Sequence, residues 1–420
     1  MLAQQINERE KSTLLSRFSK FHNLKKAIDE YYVNAFAPEI IYAIRFVEES
    51  KLAAELIARY ARVGGEQSSG ISFTEKRFQT NLLFIQKHFE DALSCLKPSH
   101  SHILFIDGID IRPSSIPYNE YLECVKGLAN AVWSVNNDFF PTIKDSKGRL
   151  RVVLLIRPDI FNSLGLQNQN NKIRDNSALL DWRTTYRTYR QSAIYMMTDK
   201  LLSSQQETNL SLGEAWDYYF PYDPKRIYIK EGLTSPTSFV QFLKFSLYRP
   251  RDIVTMLSIL QENFIEQNKD ANYVFSEKDF DNPNFKRKLS EYLLGEIKDQ
   301  ISFYYSSSDY ELFLKFFEYL NGSYKFTYEE YVDAYLSFIK FISENEKTKP
   351  AFFETADEFL QFLYALNILC YVEETLDEQF MRWCFRERNF SNISPKVKTH
   401  LRYEIHYGLQ KALNVGKHIF

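Results

Sequence analysis

The stretch His102-Ile-Leu-Phe-Ile-Asp-Gly-Ile-Asp110 decides the fold. Four consecutive apolar residues, Ile103 to Ile106, run into a carboxylate, a glycine and a second carboxylate. A short, continuously apolar run fits a strand buried on both faces, as in a parallel sheet. Open α/β sheets hold their ligands beyond the carboxyl ends of the strands, where Asp107 and Asp110 stand. Downstream, Asn119 is a candidate cap for a helix with Leu122, Val125, Leu128, Ala129 and Val132 on its inner face. Asp145 to Gly148 makes a turn, and a second buried strand, Leu150 to Ile156, ends at Arg157-Pro158. Strand, helix, strand in this order predicts a βαβ unit with parallel strands and a right-handed crossover.

On the amino-terminal side, residues 1 to 62 read as helical, broken at Pro38, and Gly64 to Gly70 reads as a loop. A helix over Thr74 to Cys95 follows from Phe78, Leu82, Ile85, Phe89 and Leu93 at helical spacing. Beyond the second strand, a polar loop over 162–181 feeds a helix from Trp182 to Leu202 whose charged face carries Arg183, Arg187 and Arg190. Arg249-Pro-Arg-Asp-Ile253 opens another helix, with Pro250 in its first turn and Asp252 at its positive dipole end. After Asp281-Asn-Pro-Asn284 come helices at Phe285–Tyr304, Tyr310–Leu320, Thr327–Ile342 and Thr355–Leu366, with Thr327 and Glu330 spaced as a capping box. Two β-like runs follow, Ile368–Val372 and Gln379–Phe385. Three short helices and a hairpin is the order of a winged helix, and a last helix is expected over Pro395–Leu413.

The predicted architecture is mainly α: an α/β core with a parallel sheet, then a helical lid and a winged-helix-like carboxyl-terminal region. Its expected divisions are 1–100 (helical), 101–232 (α/β core with a helical insertion), 233–283 (lid) and 284–420. With 420 residues, 45% apolar and 25% charged, the chain has the composition of a soluble globular protein large enough for several domains. A net charge of −2 gives no general affinity for polyanions. Cys95, Cys124, Cys370 and Cys384 are too scattered for a zinc pattern or a disulfide framework. No apolar run reaches about 18 residues, so no membrane contact is expected. The polar, mixed-charge amino terminus is unlike a signal peptide, and a cytoplasmic location is the expectation.

Asp107-Gly-Ile-Asp110 resembles the D-G-x-D form of the Walker B element in STAND-class P-loop NTPases, relatives of the AAA+ group. Leu154-Leu-Ile-Arg-Pro158 resembles that class's sensor 1 strand, and Arg249-Pro-Arg251 a sensor 2 position at the head of a lid helix. The order of lid and winged helix is also similar, most of all to a bacterial "P-loop ATPase" group often encoded in defence-related loci. The resemblance covers roughly residues 75 to 415. It implies a regulatory switch that binds or hydrolyses ATP with Mg²⁺, in a role such as phage defence, with a protein partner or self-association. Asp107 would be the metal carboxylate, and Asp110 would orient water. Arg157 would sense the γ-phosphate, and Arg249 or Arg251 would close the lid, with Asn171 and Lys172 lining the cleft.

A P-loop holds β- and γ-phosphates with a backbone N–H cradle and a lysine, and the chain contains no G-x-x-x-x-G-K-[ST]. The family order puts that loop before the helices that open this sequence, so ATP and Mg²⁺ are conditional on a loop upstream; if this member has lost it, hydrolysis by this chain alone is not expected. Other readings remain open. Asp107-Gly can be a plain turn, Arg157 a salt-bridge partner of these aspartates, and Arg249 and Arg251 a solvated helix start with an Asp partner. The arginines at 183, 187 and 190, with Lys144, Lys147, Arg149 and Arg151, suggest a basic region near 144–190 that can meet nucleic acid or be a solvated face. A non-catalytic interaction protein with a degenerate nucleotide site is the second function class. A metal-dependent nuclease on Asp107 and Asp110 is a weaker third.

Overall fold

The computed structural model describes residues 86–416, apart from 88, 95–97, 99, 114, 144–145, 167–168, 208–209, 226–234, 268–273, 375–378 and 390–391. The expected helices over 1–62, the 64–70 loop, Lys144 and most of the 74–95 helix lie outside the described residues. The chain is mainly helical, with one parallel and one antiparallel sheet. It divides into two units between residues 167 and 168.

In the first unit, β1 (His102–Ile106) pairs in parallel with β2 (Leu150–Leu154), His102 opposite Leu150 and Ile106 opposite Leu154. The crossover is α1 (Tyr118–Ser134), extended by a π turn over Val135–Phe139. The βαβ order is as expected. Asn119 is not its cap: the helix starts at Tyr118, behind Pro117, whose ring cannot continue a hydrogen-bonded segment upstream. Nor is β1 buried on both faces. His102 and Leu150 are buried, but Ile103 (44% accessible) and Phe105 (61%) are exposed on the other face. Among the described residues nothing packs on that face closely enough to cover them.

The edges of this sheet differ. His102 N–H donates to Arg149 O (2.7 Å) and Leu155 N–H to Ile106 O (2.8 Å), so odd-numbered peptide groups of β2 face β1 and Val152 faces away. Asn136, in the π turn, takes up that outer position: its Nδ2 donates to Val152 O (2.7 Å) and its Oδ1 accepts from Val152 N–H (3.0 Å). A side-chain amide thus stands in for one rung of a third strand.

The second unit has one hydrophobic core running from Tyr189 to Val415. Its helices include α2 (Ala193–Ser203), α3 (Glu214–Tyr219), α4 (Pro250–Glu266), α5 (Pro283–Tyr304) and α6 (Ser307–Phe316). Then come β3 (Lys325–Thr327), α7 (Tyr328–Glu344), α8 (Ala356–Ala365), β4 (Leu369–Glu374), β5 (Gln379–Arg382) and β6 (Arg402–Ile405). The capping box at α7 is present: Glu330 N–H donates to Thr327 Oγ1 (3.3 Å) and Thr327 N–H to Glu330 Oε2 (2.8 Å).

Two expected helices are corrected. The helix placed at Trp182 begins at Ala193. Upstream of it, Asp181 accepts from Arg183 N–H (2.9 Å) and Thr185 Oγ1 from Thr188 N–H (3.1 Å), local bonds that compete with helix formation. The helix placed over Pro395–Leu413 is instead β6 followed by turns. β6 lies between β3 and β4 in the order β3-β6-β4-β5, so its peptide groups pair on both sides.

Candidate functional site

Asp107 to Ile111 forms a turn at the carboxyl end of β1. Gly108 has φ +79°, which a side chain would resist, and this lets its N–H donate back to Asp107 Oδ1 (2.7 Å) while Ile111 N–H reaches Gly108 O (3.2 Å). Tyr121 of α1 braces the turn by donating its hydroxyl to Ile109 O (3.0 Å). Burial, and then the nearby Asp110 charge, push the Tyr121 hydroxyl above its ordinary pKa, so it stays a donor at neutral pH. Asp107 is exposed and Asp110 half-buried.

Arg157 arrives from the end of β2, because the parallel register carries both strands to the same edge. Its Nη1 lies 3.9 Å from Asp110 Oδ2. Most of its fork is taken by Asp159, with Nε to Oδ1 at 3.1 Å and Nη2 to Oδ2 at 2.5 Å. Pro158 and Asp159 start the short helix Pro158–Ser163, which fixes the carboxylate there. Asp107, Asp110 and Arg157 therefore share one edge, with Arg157 held between two carboxylates. Among the described residues no group of three or more His, Cys, Asp or Glu side chains is placed to hold a metal by protein ligands alone.

The other candidates belong to the second unit. Asn171 and Lys172 lie on the helix Gln169–Asn176, where Asn171 is exposed. Arg249 and Arg251 head α4, and both are engaged. The fully buried Asp252 accepts from Arg249 Nη2 (2.6 Å), Tyr292 Oη (2.9 Å) and Leu247 N–H (2.8 Å). Glu296 on α5 takes Arg249 Nη1 (2.8 Å) and Arg251 Nη1 (3.3 Å). Although burial alone would lower it, Asp252 raises the Arg249 pKa. Arg249 has the Asp partner of the alternative reading, but the pair is drawn into the protein rather than solvated, and Glu296 joins it.

The arginine stripe is not a helix face. Arg183 pairs with Asp181 (2.5 Å) and Arg190 with Asp217 (2.9 Å), while Arg187 is exposed. Two of its three charges are thus paired within the chain. Sequence reading missed Asp159, Tyr121 and Glu296. Asp159 stands two residues after Arg157 and was open to detection; Glu296 is brought to Arg249 only by the packing of α4 on α5. Among the described residues no helix is long and apolar enough to cross a membrane. Comparison with protein-family models, curated protein sequences and solved structures gives no match to this chain.

Proposed function

We propose that the chain is an NTPase-like regulatory protein of the STAND/AAA+ class, with a winged-helix-like region over residues 284–420 and a nucleotide-site remnant at Asp107, Asp110 and Arg157. The observation that carries this reading is the parallel β1–β2 pair delivering two carboxylates and one arginine to the same carboxyl edge. The metal half of such a site fits. Asp107 is exposed and keeps Oδ2 outside its own turn bond, so it would hold Mg²⁺ through water, with Asp110 orienting a second water. The phosphate half does not fit: Arg157 is largely spent on Asp159, and the sequence has no phosphate-loop motif. No hydrolytic step is assigned to these residues.

A second reading, a non-catalytic interaction protein, is favoured by one further observation. Arg249 and Arg251, the lid arginines of the resemblance, are tied to Asp252 and Glu296. Titration calorimetry of Mg·ATP into the full chain separates the two. Nucleotide binding predicts saturable heat, lost in Asp107→Asn. An absence of heat up to a Kd of about 1 mM would sink the nucleotide reading and leave the interaction protein.

A further inference from the structure

Arg386 stands apart from the other arginines drawn into the second unit. Arg190 and Arg249 each meet a carboxylate, at 2.9 and 2.6 Å. Arg386, in the one-turn helix Cys384–Glu387, makes no ion pair among the described residues. Its guanidinium packs over the rings of Tyr248 (4.7 Å to the centroid), Tyr186 (5.3 Å) and Phe385 (5.8 Å). Nη2 donates to Tyr248 Oη and, at 3.3 Å, to Tyr186 Oη. Nε is buried without a partner, and Nη1 has no hydrogen bond among the described residues.

The donor count is unbalanced. Both hydroxyls accept from one cation, and at most one of their protons can go to the other ring, so at least one O–H remains to donate. Arg183 adds a second guanidinium close by, its Nη1 donating to Arg386 O at 3.0 Å, although Asp181 neutralises its charge. A desolvated charge without a counter-ion is costly, and aromatic faces compensate only part of that cost. With Nη2 given to the two hydroxyls and Nε enclosed, Nη1 and one spare tyrosine O–H are the donors left to meet an oxyanion oxygen.

We propose that Arg386, with Tyr186 and Tyr248, forms an oxyanion-binding site for a phosphate or carboxylate group. The site involves none of the Asp107 turn and stands whether or not the chain binds nucleotide. The test is thermal unfolding of the full chain, titrated with sodium phosphate or sodium acetate against chloride at constant ionic strength. The expected result is a saturable rise in Tm with at least one anion. Saturation by phosphate alone assigns a phosphate group, and saturation by acetate alone a carboxylate. Arg386→Lys keeps the charge but loses the Nη1 donor and its fixed direction, and Tyr186→Phe loses one hydroxyl. Each weakens the apparent affinity, Arg386→Lys by about tenfold or more, since a hydrogen bond to a charged group is lost. No saturable response to either anion overturns the proposal. So does an undiminished response in both variants.

Discussion

His406 shows how one buried side chain links this fold to pH. Its ring is fully enclosed. Gly408 N–H donates to Nδ1 at 3.2 Å, so the proton sits on Nε2, which faces Ser246 O at 3.3 Å. Burial lowers its pKa to about 4, partly opposed by the Ser246 carbonyl and Asp252, while Arg386 and Arg249 push it further down. The folded value lies below the unfolded one, so folding favours the neutral ring. Its stabilising contribution is complete above pH of about 6.5 and is lost as pH falls toward 4, by up to about 3 kcal/mol. Denaturation midpoints measured between pH 7 and pH 4 should therefore fall more steeply in the native chain than in His406→Phe, which cannot titrate. Parallel curves would show that this ring is not the source of the acid sensitivity.

The elements show where local sequence was enough and where distant contacts decided. β1 and β2 were legible because a short apolar run bounded by turn residues has few other uses, and α7 because Thr327 and Glu330 cap it within four residues. Residues 395–413 were not. Leu401, Tyr403 and Ile405 alternate like a strand, whereas Leu401, Ile405, Leu409 and Leu413 repeat every four residues like a helix; β3 and β4, far off in sequence, select the strand. The candidate site divides the same way: the Asp107, Asp110 and Arg157 edge follows from two parallel strands, but Glu296 meets Arg249 only through tertiary packing. Asn136 was also invisible, since nothing local marks an amide that will cap a strand edge. Replacing it with alanine leaves Val152 N–H and C=O without partners, at a cost of about 1–3 kcal/mol. Hydrogen exchange at the Val152 amide should accelerate strongly in Asn136→Ala while the amides of α7 keep their protection; equal protection of Val152 in both proteins would remove Asn136 from that role.

At the scale of the whole chain, the second unit carries its own means of folding. Its core joins residues from Tyr189 to Val415 and is dense in interlocked rings. Trp216 stacks on Phe220 (4.4 Å) and meets Phe239 (4.8 Å) and Phe242 (4.9 Å) edge-on, while its Nε1 donates to Ser238 Oγ (2.9 Å). Its two most buried carboxylates are satisfied from within the same unit: Asp199 accepts from Gly213 N–H and Trp216 N–H, both at 2.8 Å, and Asp252 holds Leu247, Arg249 and Tyr292. A contiguous core whose buried carboxylates are paired from within meets the condition for independent folding. A fragment of residues 168–420 should thus melt cooperatively, with strong near-ultraviolet circular dichroism and blue-shifted emission from Trp216, because fixed ring contacts produce both signals. Far-ultraviolet helicity without the near-ultraviolet signal would mark a molten state. It would mean that this aromatic lattice needs the first unit to set.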